Sequence, residues 1–158
     1  MNIGIIVYSK TGNTLLVAER VRATLLQSGL QAELIRFQAE TSSPGSNAPI
    51  RLSAMPNPNG YDALIFGSPV QAFSLDPAMQ MYLQQVGSIK KVPALCFITQ
   101  HFKKPWMGGN RTMKQLQALL QGKGIHADAA GVVNWSSEMR ETQIDAIATQ
   151  CVETLKRG

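Results

Sequence analysis

The stretch Ile6-Val7-Tyr8-Ser9-Lys10-Thr11-Gly12-Asn13-Thr14 decides how this chain is read. An apolar run, Ile3–Tyr8, passes directly into a row of hydroxyls, an amide and one glycine. Beyond it Val17, Val21 and Leu25 recur every four residues, which is one face of a helix. The stretch is therefore a strand, a tight polar turn and a helix start. The first N–H groups of a helix have no intrahelical acceptor and carry partial positive charge. Ser9, Thr11, Asn13 and Thr14 add short donors, Lys10 adds a cation, and Gly12 lets the backbone pass close to a ligand. Such a turn either caps the helix through Thr11 or Asn13 or cradles an anion such as a phosphate monoester. One cap needs one such residue, and four of them stand in these six positions, so the anion reading is preferred. Neither GxxxxGK[ST] nor GxGxxG is present, which excludes the two best-known phosphate loops.

Four further apolar runs read as strands: Glu33–Phe37, Ala63–Phe66, Pro93–Ile98 and a weaker one over Ala127–Val133. Helical stripes lie between and after them, at Leu75, Met79 and Leu83, at Met113, Leu116 and Leu120, and at Ile144, Ile147, Ala148, Cys151 and Leu155. Strands alternating with helices predict an α/β fold with a parallel sheet. The first, third and fourth strands are nearly continuous in apolar residues, as strands covered on both faces must be. The second carries Glu33 and Arg36, which suits an edge. Residues 41–60 break the rhythm with four prolines and no helical period. A long loop with at most a turn or two of helix around Ile50–Met55 is expected there.

The bulk numbers agree with one domain spanning residues 1–158: 44% apolar residues, 16% charged, and a length that buries a real core. No apolar run is long enough for a membrane helix, and no signal peptide is expected. Cys96, Cys151, His101 and His126 are scattered without metal-ligand spacing, and the two cysteines read as core residues in a reduced, cytoplasmic protein. The net charge of +5 favours anionic partners. There is no basic block with interleaved aromatics, so nucleic acid is not expected.

In an open parallel sheet, ligands bind beyond the carboxyl ends of the strands, where strand order reverses. Two more loops should meet Ser9–Thr14 there. One is Ser68-Pro69-Val70-Gln71-Ala72-Phe73, where Gly67, Ser68 and Pro69 are expected to end the third strand. Phe73 can cover a flat aromatic ring or pack under its own loop. The other runs from Thr99, Gln100, His101 and Phe102 to Gly108, Gly109 and Asn110, with Asn110 a candidate helix cap. Backbone groups at Thr99 and Gln100 can hydrogen-bond a heterocycle, and Phe102 or Trp106 can stack on it. No nucleophile–base pair is visible, so a group-transfer centre of that kind is not expected.

At these residues the chain resembles the flavodoxin family. Ser9-Lys10-Thr11-Gly12-Asn13-Thr14 is similar to that family's Ser/Thr-x-Thr-Gly-x-Thr turn, and YDALIFGSPV to its third strand and following loop. The resemblance covers the whole chain. It implies a three-layer sandwich with a five-stranded parallel sheet of order 2-1-3-4-5. It also implies FMN, with its phosphate in 9–14 and its ring between 68–73 and 99–109. The implied function is electron transfer between redox partners. An NAD(P)H-dependent quinone or flavin reductase of the same fold is the alternative, suggested by Thr99-Gln100-His101. A flavin-free binding or regulatory domain is a second, with Trp106 filling the ring site. Flavodoxins are typically acidic, whereas here Lys10, Lys103, Lys104 and Arg111 face only Asp76 on the expected rim. That balance favours an acidic redox partner.

Overall fold

A computed structural model describes residues 1–41, 50–104 and 106–157. Five parallel strands form the central sheet: β1 (Asn2–Tyr8), β2 (Gln31–Phe37), β5 (Ala63–Gln71), β7 (Ala94–Gln100) and β8 (Asp128–Asn134). Their order across the sheet is β2-β1-β5-β7-β8. Counted over these five strands alone, that is the expected 2-1-3-4-5. Among the described residues four α-helices cover the sheet: α1 (Asn13–Gln27), α2 (Pro77–Gln85), α3 (Gly109–Gly122) and α4 (Arg140–Arg157).

Strand residues alternate between the two faces, and each face builds its own core. Ile3, Ile5 and Val7 pack with Ile65, Leu95 and Phe97 under α1 and α4. Ile6, Tyr8, Leu64, Phe66, Cys96 and Ile98 pack under α2 and α3. Both cysteines are buried and free, in opposite cores. Burial pushes each thiol up to about 12, which makes a core role the physical reading. Two edges flank the sheet, β2 and β8, as the charged residues of β2 suggest.

The connection from β2 to β5 departs from expectation. No helix forms at Ile50–Met55. Instead β3 (Ala39–Thr41) and β4 (Ile50–Leu52) pair antiparallel in a short ribbon, followed by a 3₁₀ turn at Pro58–Gly60. Ser53 closes the ribbon by donating its N–H to Gln38 O at 2.7 Å while its Oγ accepts from Gln38 N at 2.8 Å. Pairing across this distance in sequence leaves no local period to read. The part of the expected loop at 42–49 lies outside the described residues.

The third strand is also longer than its apolar run. It continues through Ser68, Pro69, Val70 and Gln71, then turns back into β6 (Ser74–Leu75), with Val70 opposite Leu75 and Gln71 opposite Ser74. Gly67-Ser68-Pro69 therefore does not end the strand. Pro69 is tolerated because a strand that leaves the sheet at its tip needs no further ladder donor.

Candidate functional site

The turn at 9–14 is built from three sets of hydrogen bonds. Gly12 takes φ 100°, the left-handed region, and stands as the N-cap of α1 without a side-chain cap of its own. Ser9 does that work from three residues back: its Oγ accepts from the N–H groups of Gly12 and Leu15, each at 3.2 Å. Thr11 and Asn13 are thus not the cap. Arg36 grips the turn from the neighbouring strand, donating through Nη2 at 2.7 Å and Nε at 3.3 Å to Ser9 O. Thr14 and Thr99, both buried, share a hydroxyl–hydroxyl bond of 2.7 Å that ties α1 to the end of β7.

These bonds leave specific donors over. With Leu15 N–H bound to Ser9 and Leu16 N–H bound to Gly12 O, the N–H groups of Asn13 and Thr14 have no acceptor among the described residues. The Thr14–Thr99 pair holds two hydroxyl protons and uses one between its oxygens, so one O–H remains for a ligand. A cavity of about 250 Å³ opens here. Its wall takes Lys10, Thr11, Asn13 and Thr14 from the first loop, Pro69, Val70 and Gln71 from the end of β5, and Thr99, Gln100 and His101 from the end of β7. Asp76, the N-cap of α2, completes it. The three segments expected to meet do meet, at the carboxyl ends of β1, β5 and β7.

Eight expected residues lie outside this wall. Ser9 and Gly12 shape the turn from beneath. Ser68 is fully buried and donates to Pro69 O at 3.1 Å. Ala72 and Phe73 form the tip of the β5–β6 hairpin, both at positive φ, 50° and 63°. Two-residue hairpin tips with both residues left-handed normally use Asn-Gly, so this tip carries strain. Gln115 holds it down, its Oε1 accepting from Ser74 Oγ and Leu75 N. Phe73, 52% exposed, stacks on Phe102 with ring centroids 5.1 Å apart and planes within 7°. Gly108 takes φ 119° and caps α3, so Asn110 is not the cap. A Cβ at Gly108 would stand 3.2 Å from Phe73 Cα, a tight contact that adds to the left-handed φ in favouring glycine where the third loop meets the hairpin. A Cβ at Gly109 would meet Val132 Cγ1 at 2.7 Å and Gln100 Cδ at 3.2 Å. Trp106 is 72% exposed and does not fill the ring region.

Charge is distributed differently from the simple basic rim. Lys10 lines the cavity, but Lys103 and Lys104 line a separate 490 Å³ cleft beside β8, on the far side of the 101–109 segment. Asp76 is nearly buried, and desolvation raises its carboxyl above the usual range against the opposing pull of Ala78 N–H and Lys10. Gln100 is fixed by its amide, which donates through Nε2 to Lys104 O and to Asn134 Oδ1. Its Oε1 is buried without a partner among the described residues. A larger groove of 840 Å³ runs along the edge of β2 rather than over the strand ends. Among the described residues there is no metal-type cluster and no helix long and apolar enough to cross a membrane.

Sequence reasoning missed Arg36 and Tyr8 as neighbours of the site. The signal is the pairing of β1 with β2, which puts Arg36 beside Val7 and Phe37 beside Tyr8 at the mouth of the turn.

Comparison with solved structures follows this geometry. An archaeal flavodoxin aligns over 99% of this chain and 98% of its own length, with a TM-score of 0.69 at 10% identity. This is a flavodoxin-like fold. Flavodoxin 1 of Bacillus cereus aligns over 97% and 98% of the two chains, with a TM-score of 0.63 and 16% identity. A flavoprotein of Lactobacillus acidophilus, solved in complex with FMN, aligns over 91% and 96%, with a TM-score of 0.54 and 17% identity. No family model matches the sequence, and neither does any curated protein.

Whether the flavodoxin-like site fits such a ligand can be tested on its own atoms. The turn suits an anion such as a phosphate, since Lys10, Asn13, Thr14 and Thr99, with two N–H groups and a spare hydroxyl proton among them, line one cavity. A flat ring placed between Phe73 and Phe102 needs about 7 Å between their planes, twice a ~3.5 Å contact. With centroids 5.1 Å apart, the stacked pair leaves no such gap as it stands.

Proposed function

We propose that this chain binds FMN and carries electrons between redox partners. The observation that carries this reading is the convergence, on one cavity, of unpaired helix-start N–H groups, Lys10 and the Thr14–Thr99 pair. That combination suits a phosphate monoester. Asn13, Thr14 and Lys10 would hold the phosphate, Pro69, Val70, Gln71, Thr99 and Gln100 would flank the chain behind it, and Phe73 with Phe102 would cover the ring. Bound flavin supplies one- and two-electron chemistry, and the protein supplies position, exclusion of water and charge. Thr14 and Thr99 orient the phosphate end because their hydroxyls are buried and held by each other. The hairpin tip and Gly108 set how far the ring end is open to a partner. Exposed Lys10 at this opening, and Lys103 and Lys104 in the separate cleft beside β8, favour a partner with an acidic surface. Lys103→Glu/Lys104→Glu should then slow electron transfer to such a partner, most strongly at low salt.

The test is an absorbance and fluorescence titration with FMN. Bands near roughly 370 and 450 nm that stay with the protein, with quenched flavin emission, are expected. Steady NAD(P)H oxidation with a quinone would favour the reductase reading over the carrier. The Phe73–Phe102 stack gives the flavin-free reading its own support, since the pair already covers the ring end. Absence of flavin uptake from excess FMN would put that reading first.

A further inference from the structure

The central sheet has two outer edges, and they are finished differently. On β2, Arg22 donates through Nε to Ala32 O at 3.1 Å, and the groove beside it carries both signs of charge, Glu19 and Glu33 with Arg22 and Arg36. On β8, the edge opens into the 490 Å³ cleft. Ala129, Gly131 and Val132 of β8 line it, together with Met113 of α3 and Met139 ahead of α4. Its charged lining is Lys103 and Lys104, with no acidic side chain among the described residues.

Main-chain groups along a strand point alternately to its two neighbours. Trp135, just past β8, turns inward, its N–H donating to Gln100 O at 2.8 Å. Asn134 turns outward, where its N–H donates to Gln143 Oε1 at 2.8 Å and its carbonyl accepts from Ser137 N at 2.9 Å. Val132, two positions back, also turns outward, and its N–H and C=O have no partner among the described residues. The register slips at Ala130, so any added pairing centres on Val132 instead of running the length of the strand. A free edge with small neighbouring side chains is a template for another extended chain.

The positive charge follows this edge. Residues 110, 113, 114 and 117 share one face of α3. Asn110 and Met113 line the cleft, and Gln117 donates through Nε2 to Ala127 O at 2.9 Å, just ahead of β8. Exposed Lys114 therefore stands between them, beside the strand. The acidic residue of β8, Asp128, is at the far end and paired with His126 at 3.0 Å.

We propose that the β8 edge docks a short extended acidic segment of a partner protein, paired to the main chain of Val132 with its carboxylates on Lys103, Lys104 and Lys114. The free N–H and C=O select an extended chain over a helix, as in strand addition. The lysines select acidic side chains, and Met113 and Met139 offer apolar contact to the residues between them. This gives the acidic partner of the proposed function a shape, and only in calling that partner a redox protein does it rest on that reading. The docking itself needs no flavin.

The experiment titrates the full chain, without flavin and at low salt, with short capped peptides of equal length, alternating glutamate with valine, lysine with valine, or glutamate with proline. Binding is followed by the backbone amide signals of residues 128–134. The glutamate–valine peptide should move those signals and slow solvent exchange of the Val132 N–H. The glutamate–proline peptide has the charge but lacks half of the main-chain donors, and should bind about tenfold more weakly. The lysine–valine peptide should not bind. Lys103→Gln/Lys104→Gln should weaken the glutamate–valine peptide about fivefold, the scale of two exposed ion pairs. Val132→Pro, which keeps every charge and removes the outward N–H at an edge that tolerates proline, should weaken it further. Equal binding of the three peptides, shifts on β2 instead of β8, or an unprotected Val132 N–H would each overturn the proposal. So would a second copy of the chain on this edge, seen as a concentration-dependent dimer that excludes the peptide. A chain that takes up no FMN yet binds the glutamate–valine peptide would sink the cofactor reading and leave this one standing.

Discussion

The two ends of the site are made in different ways. The turn at 9–14 is held by backbone and buried hydroxyls: Ser9 on Gly12 and Leu15, Arg36 on Ser9, Thr14 on Thr99. The aromatic end is held by exposed Phe73 on half-buried Phe102, above a hairpin whose two tip residues both sit at positive φ. The first end is fixed before any ligand arrives and, for the proposed phosphate, need not move. The second is strained and closed on itself, so any flat ligand must part the pair. A rigid anchor beside an adjustable cover lets affinity come from one end and access be set at the other.

The largest expected effect tests the rigid end. Thr99→Val leaves the Thr14 hydroxyl buried without its partner and should cost about 1–3 kcal/mol of stability in urea unfolding. The double variant Thr14→Val/Thr99→Val should cost less than the sum of the two singles, because no orphan hydroxyl remains. Additive losses would mean that the pair is not a unit.

Next comes Arg36→Met, which removes two charged donors from Ser9 O. A loss of about 1–2 kcal/mol is expected, together with weaker FMN binding through a looser turn. Unchanged FMN affinity would separate the grip of Arg36 from the cradle.

The adjustable end predicts the opposite sign. Ala72→Gly relieves a left-handed residue and should stabilise the chain by about 1 kcal/mol, seen as a rise in Tm. A fall in Tm would mean that the tip is not strained.

The smallest effect is that of pH at the cavity wall. Desolvation raises the folded-state pKa of Asp76 above its unfolded value, so the folded chain binds the extra proton between the two. Stability from this group therefore falls as pH rises from the ordinary carboxylate range through the raised value, and the penalty persists above it. Asp76→Asn should remove that slope while keeping the cap on Ala78, which a comparison of urea midpoints across acidic to neutral pH would measure.

How much of this could be read in advance follows the range of the interactions. The turn was legible because its bonds span three to six residues, from Ser9 to Gly12 and Leu15. The role of Ser9 was not legible, since its hydroxyl reaches forward from outside the helix to Gly12 and Leu15. The end of the third strand was misread because Ser68, Pro69 and Gln71 carry no apolar signal, yet they extend β5 into the hairpin with β6. The long loop expected over 41–60 missed the ribbon at Ile50–Leu52 for the same reason, as β4 exists only through its pairing with β3.

By itself the sequence determined the alternation of strands and helices, the two-sided burial of β1, β5 and β7, and the donor-rich turn at the first helix. Each is a local periodicity or a local hydrogen-bond pattern. Only the tertiary structure decided that Arg36 grips Ser9, that Thr14 meets Thr99 and that Phe73 lies on Phe102. Those contacts join residues 27, 85 and 29 positions apart. Their partners are chosen by the order of strands in the sheet, which no single segment encodes.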